Sequence, residues 1–387
     1  MPDEAFPRVA KSHERSGRGV TPSPARKSLL MLETTIKPGM HTESEILSEP
    51  RCWMECLRYL KEDKHAAQVL REGSSGSERM FVGCGSSYYL ALAAAASWTA
   101  LTGLPARAAP ASEVLLFPNL LLNGGPALQP VLISRSGRTS EILEAAAYLK
   151  SKGVPGLAIT CTKGQPIEAL SSGTICLPPA DEKSTIMTRS FTSMLMGLQF
   201  LAAKHANNHS FPEALENVAR SLEKTIESIS SRVRSFVETH EFADYVWLGQ
   251  GPFYGLACEG ALKVTEMSCS YAQPYHSLEF RHGPKSIAGP ETLIGFLISK
   301  TGLETERKVL EEVKKLGATT FVVVNKADER TRRLADLLIE FNLQDDDEFA
   351  RLIPHILPGQ LLGLYTGLKK GLDPDSPRHL SRAVILD

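Results

Sequence analysis

Short apolar runs alternate with amphipathic stretches along the chain from about residue 78 onward. RMFVGCGSS at 79–87 is followed by PVLISRSG at 130–137, GLAITCTKG at 156–164 and GTICLPP at 173–179, with helical patterns between them. Strands that alternate with helices are typical of a parallel sheet covered on both faces. The pattern therefore predicts an α/β fold.

The same order of segments returns in the second half, as YVWLGQGPF, LIGFLISKTG and GATTFVVVNKAD. Glycine landmarks of the two halves pair at separations of 166, 165 and 164 residues, namely Gly83 with Gly249, Gly137 with Gly302, and Gly153 with Gly317. A nearly constant separation of this kind indicates an internal repeat. We infer two copies of one α/β unit.

A polar turn followed by a helical pattern separates the copies between residues 204 and 242. We place the boundary near 206–214, which divides the chain into subdomains at 40–207 and 208–387. The first 28 residues are polar and rich in Pro, Gly and Ser, without an apolar signal-peptide core. We interpret residues 1–39 as an extension that is disordered or precedes the true start, for which Met31 and Met40 are candidates.

Composition excludes some classes of function. The chain has 43 basic and 44 acidic residues, for a net charge of -1, and no run of like charges, so we expect no nucleic-acid partner. Its seven cysteines are scattered without a metal-binding spacing, which favours a reduced, cytoplasmic protein with neither metal nor cofactor. Residues 88–106 carry no charge, but their alanines, Gly103 and Pro105 favour a buried helix over a membrane span.

The stretch SRSGRTSE at 134–141 lies where a strand should give way to a helix. Such a junction offers free backbone N–H groups and the positive end of the helix dipole, and Ser134, Ser136 and Thr139 add hydroxyl donors. A capped helix without a ligand explains the hydroxyls almost as well. Its place at the end of a parallel strand favours a phosphate or carboxylate site.

A second junction, VGCGSSYY at 82–89, has Gly83 and Gly85 where close backbone approach is useful. Either Ser86 or Ser87 can face a ligand there, although tight packing also explains a lone pair of glycines. Cys84 is better explained as a small packed side chain than as a nucleophile.

The pattern ACEGALKVTEMS at 257–268 places Glu259, Lys263 and Glu266 on one helical face. A solvated Glu–Lys pair is the commoner meaning of such spacing. The position directly after the second glycine turn, with apolar flanks, favours a buried site in which a carboxylate acts as a base. Further on, His282 precedes Gly283-Pro284, which we interpret as a helix stop, and a histidine there is often only a C-terminal cation.

Together these segments resemble the sugar isomerase (SIS) family, and in particular the isomerase half of the glutamine-fructose-6-phosphate aminotransferases. The motifs run in order from Met40 to the carboxyl end, as MHTESEILSEP, GCGSSY, ISRSGRTSE, EGALKVTE, EFRHGP and PRHLSRAVILD. The resemblance implies two tandem flavodoxin-like SIS subdomains, each a parallel sheet with helices on both faces. It also implies a homodimer and a small sugar phosphate as ligand.

The resemblance further implies roles for single residues. Glu266 matches the carboxylate that shuttles a proton, and Lys263 the lysine three residues before it. His282, 16 residues after Glu266, is implied to reach the neighbouring subunit's site and assist ring opening. The residues implied to bind substrate are Ser87, Ser134, Arg135, Ser136, Thr139, Glu182, Thr185 and Arg382.

Three departures from the aminotransferase pattern matter. Residues 1–39 are too short for a glutamine-hydrolysing domain, so glutamine-driven amination is not expected on this chain. Arg382 stands where the aminotransferase has an imine-forming lysine, and a guanidinium that stays protonated cannot form that imine. Arg135 and Arg138 replace a glutamine and a glutamate, which suits stronger anion binding or a second acidic group on the ligand.

Three functions stay open from the sequence. The first is a phosphosugar isomerase or aminosugar-phosphate deaminase-type enzyme that moves a proton between C1 and C2 of a hexose 6-phosphate or its amino derivative. The second is a deglycase acting on a fructosamine 6-phosphate. The third is a sugar-phosphate sensor without catalysis, although the chain shows no helix-turn-helix stretch and keeps both Glu266 and His282.

Overall fold

A computed structural model describes residues 37–63, 77–122, 127–344 and 347–386. Two parallel five-stranded sheets form its framework. The first sheet consists of β1 (Glu78–Gly83), β2 (Ala106–Pro110), β3 (Leu128–Ile133), β4 (Leu157–Thr160) and β5 (Gly173–Cys176). The second consists of β6 (Asp244–Gly249), β7 (Tyr271–His276), β8 (Thr292–Ile298), β9 (Thr319–Val324) and β10 (Leu337–Glu340). The predicted extension lies outside the described residues as far as residue 36.

Helices follow or precede most strands. In the first half they are α1 (Met40–Leu47), α2 (Glu49–Glu62), α3 (Ser86–Thr102), α4 (Ala111–Leu116), α5 (Pro118–Leu122), α6 (Ser140–Ser151), α7 (Pro166–Leu170) and α8 (Arg189–His205). In the second half they are α9 (Phe211–Glu223), α10 (Ile226–Thr239), α11 (Pro252–Ser268), α12 (Leu303–Lys315), α13 (Glu329–Leu334) and α14 (Leu357–Lys369).

The two sheets share one topology. Their strand orders are β2-β1-β3-β4-β5 and β7-β6-β8-β9-β10, and every pairing is parallel. This is the flavodoxin-like order, in which ligands bind beyond the carboxyl ends of the strands where the order reverses. The predicted fold class is confirmed. The reversal falls between β1 and β3 in the first sheet and between β6 and β8 in the second.

The turn before α3 and the turn before α11 have the same conformation. Gly85 has φ 54° and ψ -126°, and Gly251 has φ 57° and ψ -127°, a region that only glycine adopts without strain. The glycine pair Gly137 and Gly302 differs, because Gly137 has a φ of 63° whereas Gly302 has a φ of -93°. The fold is therefore repeated, but the turn after the third strand of each sheet is not.

Residues from Pro38 onward pack as one compact unit. One continuous core contains side chains of both halves, such as Phe81 and Trp98 from the first and Trp247 and Phe253 from the second. Smaller clusters fill the outer side of each sheet. The subdomain boundary predicted at residue 207 lies between α8 and α9 and stays a prediction.

Helix α11 is held between α3 and α14 at very close range. A Cβ atom on Gly255 of α11 would lie 2.6 Å from the carbonyl oxygen of Tyr89 in α3. On the other side, Cβ atoms on Gly363 and Gly367 of α14 would lie 2.6 Å and 2.2 Å from the carbonyl oxygens of Lys263 and Met267. Glycine is thus required at these crossings, and the backbones of the three helices fix one another.

Some local predictions are corrected by the structure. The helix predicted over 88–106 is present as α3, but it ends at Thr102, and Ala106 begins a strand. The helical pattern between 204 and 242 forms two helices, α9 and α10. The predicted helix stop after His282 is wrong, because that residue follows a single 3-10 turn behind strand β7. Within the described ranges, no helix combines the length and apolarity needed to cross a bilayer.

We expect Gly363→Ala to lower the free energy of unfolding by about 1–3 kcal/mol, because the added methyl group overpacks the contact between α14 and α11. Chemical denaturation measures this change. Gly289→Ala is the matched control, since a Cβ atom there meets no atom within 4 Å. Equal losses in the two variants would contradict close packing at this crossing.

Candidate functional site

The turn after β3 is built by its own side chains. The Ser134 backbone N–H donates to the carbonyl of Ile159 (3.1 Å), and the Ser134 hydroxyl accepts from the Gly137 N–H (3.1 Å). The Ser136 hydroxyl accepts from the Arg138 N–H (3.2 Å). Ser134 is buried and holds the turn from beneath, whereas Ser136 is half-buried at the surface of a cavity.

This cavity has a volume of about 280 Å³ and lies beyond the carboxyl ends of β1 and β3. Four segments enclose it: the turn before α3, the turn after β3 with the start of α6, the loop before α8, and the tail that follows α14. Glu266 of α11 completes it. The lining residues are Cys84, Gly85, Ser86, Ser87, Arg135, Ser136, Thr139, Glu141, Thr185, Ile186, Met187, Glu266, Leu380, Ser381, Arg382, Ala383 and Val384.

Most of the residues implied to bind substrate meet in this cavity. Ser134 and Glu182 are exceptions, since both are buried but neither lines it. The Glu182 carboxylate accepts hydrogen bonds from the backbone and hydroxyl groups of Thr188 and Ser190. Direct contact of Ser134 or Glu182 with a ligand therefore stays a prediction without a cavity-facing atom to support it.

The two arginines that depart from the family pattern differ in their surroundings. Arg135 is 5% exposed, and its guanidinium forms an ion pair with Glu182 (Nη1 to Oε2, 3.0 Å). Arg138 is exposed and does not line the cavity. The sequence suggested that both arginines add positive charge where a ligand would bind. Arg135 adds less than expected, because its charge is paired with Glu182.

A buried lysine between two carboxylates lies behind the cavity. The Lys263 ammonium contacts Glu259 Oε1 at 3.1 Å, forms a short ion pair with Glu266, and donates to the Ser86 hydroxyl at 3.2 Å. The side chains of Lys263 and Glu259 are fully buried, whereas that of Glu266 is 19% exposed and lines the cavity. Of the three, Glu266 is the group that can meet a ligand.

Burial alone would lower the pKa of Lys263, but the neighbouring carboxylates Glu259 and Glu266 raise it above its ordinary value. The ammonium therefore stays charged and cannot act as a base. Burial raises the pKa of Glu259 to about 7, against the opposing effect of the Lys263 charge. The ion pair with Lys263 holds the Glu266 carboxylate in place.

His282 does not reach the cavity within one chain. It is exposed, and its backbone N–H donates to the carbonyl of Glu279 at 2.9 Å. Arg382 lines the cavity, but its guanidinium is ion-paired with Asp181. Burial, with a contribution from Glu141, raises the pKa of the Cys84 thiol to about 11, which agrees with a packed side chain rather than a nucleophile.

The corresponding turn of the second half is bonded to an internal carboxylate from the first turn of α12. Glu306, 1% exposed, accepts hydrogen bonds from the Ser277 hydroxyl (2.7 Å), the Ser299 hydroxyl (2.9 Å) and the Ser299 N–H (3.1 Å). Its counterpart in the repeat is Glu141, 165 residues earlier, which lines the open cavity. The carboxylate takes up donors of the second turn that an anionic ligand would need.

A larger cavity of about 650 Å³ lies beyond the carboxyl ends of β8, β9 and β10. None of the predicted site residues lines it. The smaller cavity is the better candidate site, because convergent polar groups and a carboxylate held by a buried cation define a site more reliably than volume does. Among the described residues, no three or more His, Cys, Asp or Glu side chains are placed to hold a metal ion.

Sequence reasoning assigned no role to three features of the site. Glu141 belongs to the quoted stretch SRSGRTSE but received none, and its carboxylate lines the cavity. Glu259 was noticed only as one member of a helical face, and it proves to be fully buried against Lys263. The tail residues 380–384 form a whole side of the cavity, which only the fold reveals.

The chain carries a SIS domain, since residues 75–204 match the family model of that description. This confirms the resemblance found in the sequence. An isomerizing glutamine–fructose-6-phosphate aminotransferase of Streptococcus pyogenes serotype M3 is 28% identical over 325 residues, which are 80% of this chain and 52% of that protein. The enzyme of the same name from Idiomarina loihiensis is 29% identical over 341 residues, or 84% and 53%. The chain spans about half the length of these relatives.

Solved structures with the same architecture cover nearly the whole chain. Glucosamine-6-phosphate deaminase from Thermotoga maritima superposes with a TM-score of 0.72 at 27% identity, over 88% of this chain and 100% of that one. Tagatose-6-phosphate ketose/aldose isomerase from Escherichia coli gives a TM-score of 0.78 at 22% identity, over 88% and 98%. The second likeness shows the fold alone. The chain thus shares its architecture with these proteins, and its residues 75–204 match the SIS domain.

Glu259→Gln tests the buried cluster. Since the pKa of Glu259 is raised to about 7, the folded chain holds a proton there between about pH 4.5 and 7 that the unfolded chain releases. The contribution of Glu259 to stability therefore falls as pH rises through this window. Denaturant unfolding at pH 5 and pH 7.5 measures the free energy of unfolding of the wild type and of Glu259→Gln. The wild-type value minus the variant value should be smaller at pH 7.5 than at pH 5. A difference that is the same at both pH values would argue against a buried, protonated Glu259.

Proposed function

We propose that the chain catalyses proton transfer between C1 and C2 of a hexose 6-phosphate or its amino derivative, with Glu266 as the base. The observation that carries this proposal is a single cavity lined both by a turn with backbone and hydroxyl donors and by a half-buried carboxylate. The backbone and hydroxyl groups at Ser136 and Thr139, with the amino end of α6, suit a phosphate. A bound phosphate would fix the far end of the sugar and so place its reacting carbons.

The proton movement needs one carboxylate that serves both carbons. Glu266 would accept the proton from one carbon as the enediol forms, and would return it to the neighbouring carbon as the carbonyl is rebuilt. Lys263 keeps that carboxylate in place through their ion pair and, with its raised pKa, retains its own proton. Ser86 in turn bonds the Lys263 ammonium at 3.2 Å.

Ring opening would use His282 from a second copy of the chain. The exposed position of His282 in one protomer supports this assignment, because an exposed imidazole is free to enter a neighbour's site. Strand β7, which precedes it, lies at the edge of the second sheet with half-exposed side chains and an exposed Tyr271. We propose a homodimer through this edge.

The substrate of this reaction either carries an amino group or does not. The curated relatives are named as aminotransferases of fructose 6-phosphate, and a neighbour at 27% identity is named a glucosamine-6-phosphate deaminase. These names favour release or addition of ammonia on the same enediol chemistry. Arg382 cannot form an imine with a ketose. A panel of hexose, hexosamine and fructosamine 6-phosphates with ammonia and amine detection separates isomerase, deaminase and deglycase.

Changing Glu266 to Gln should reduce solvent deuterium uptake at C1 or C2 of the sugar phosphate at least about a hundredfold, because the variant lacks the base. Binding of the sugar phosphate should survive, since the anion-binding turn is intact. Glu304→Gln is the control, as that carboxylate is exposed on α12. Exchange at the wild-type rate in Glu266→Gln would remove Glu266 from its assigned role.

A further inference from the structure

The tail after α14 forms one side of the cavity, yet it is attached to the body by few contacts. The Val384 carbonyl accepts from the Ser140 N–H at 3.1 Å, and the Leu386 N–H donates to the Ser140 hydroxyl at 2.9 Å. Most side chains from Leu380 to Leu386 are exposed. A segment with little buried apolar surface opens at low free-energy cost.

Besides the ion pair of the Arg382 side chain with Asp181, Arg135 attaches the backbone in the middle of this segment. Its Nη2 donates to the Arg382 carbonyl and to the Thr185 carbonyl, each at 2.8 Å. Its Nη1 donates to Glu182 Oε2 at 3.0 Å and to the Ile186 carbonyl at 3.2 Å. One planar guanidinium thus joins the turn after β3, the loop before α8 and the tail.

Glu182 makes this arrangement rigid. Its carboxylate is fully buried and accepts two backbone N–H bonds, from Thr188 at 2.7 Å and Ser190 at 3.0 Å, besides the bond from Arg135. A buried guanidinium needs such a partner, because an unpaired charge there would be strongly destabilising. The carboxylate therefore fixes the plane in which Arg135 offers its donors.

We propose that Arg135 and Glu182 form a latch that holds the tail residues 380–384 against the turn after β3 and so completes the ligand cavity. In this proposal Arg135 is a positioning residue. The latch rests on the proposed function only because both take this cavity as the ligand site. The latch holds the backbone of Arg382, whose side chain separately pairs with Asp181.

The Arg135 Nε–H is buried and has no hydrogen-bond partner among the described residues. The latch thus uses the two terminal nitrogens of the guanidinium, Nη1 and Nη2.

Substitution by lysine separates the latch from a simple positive charge. Lysine keeps the charge but not the planar fork of donors. In Arg135→Lys, hydrogen exchange of tail amides in the ligand-free full-length protein should be about tenfold faster or more, because a charge-assisted hydrogen bond is lost. Arg138→Lys, on the same turn but exposed, is the matched control and should leave tail exchange unchanged.

Amides of α11 in the same samples report whether each variant is folded, and Glu182→Gln is a second variant that removes the partner of Arg135. Both substitutions should loosen the tail and raise the KM for the sugar phosphate more than they lower kcat. Tail exchange at the wild-type rate in folded Arg135→Lys and Glu182→Gln would overturn the latch. Because ligand-free exchange needs no turnover, a chain without isomerase activity would overturn the proposed function and still test the latch.

Discussion

The close packing of α11 between α3 and α14 is the constraint on which the site depends. Gly255 permits contact with the backbone of α3, and Gly363 and Gly367 permit contact with that of α14. At this spacing the Lys263 side chain has no route to solvent and is fully buried. A buried ammonium must be paired, and Glu259 and Glu266 on the same helix supply the partners. The close packing of α11 therefore requires two carboxylates beside the Lys263 ammonium.

The two halves contribute different groups to the cavity. Each half begins with the same glycine turn and strand order, but the turn after β8 holds the internal carboxylate Glu306 where the first half has an open cavity. The first half supplies the turn of Ser136 and Thr139 that lines the cavity, and the second supplies α11 with the carboxylate of Glu266. Residues of both halves thus line the cavity, and the two halves share one core.

Much of this fold follows from the sequence. The central strands β1, β3, β6 and β8 are apolar runs because both of their faces are buried. The edge strands β2 and β7 were not predicted, since their half-exposed residues form no continuous apolar run. The edge strand β10 was also missed, although Leu337, Leu338 and Ile339 follow one another in it.

Some residues of the site could be predicted from the sequence and others could not. Ser136, Thr139 and Glu266 could be selected because each follows a local pattern, a strand end or a helical face. The role of Arg135 could not be predicted, because its contact with the Arg382 carbonyl spans 247 residues. Glu182 was expected beside the sugar by resemblance, and the structure places it behind Arg135.

Thermal unfolding in the presence of sugars shows whether the cavity at Ser136 and Glu266 binds a phosphorylated sugar. A ligand that binds the folded chain alone raises its melting temperature by mass action. We predict that hexose or hexosamine 6-phosphates raise the melting temperature of the wild type, that the unphosphorylated sugars do not, and that Ser136→Ala removes most of the shift. No shift with any sugar phosphate, or an equal shift in Ser136→Ala, would contradict the account.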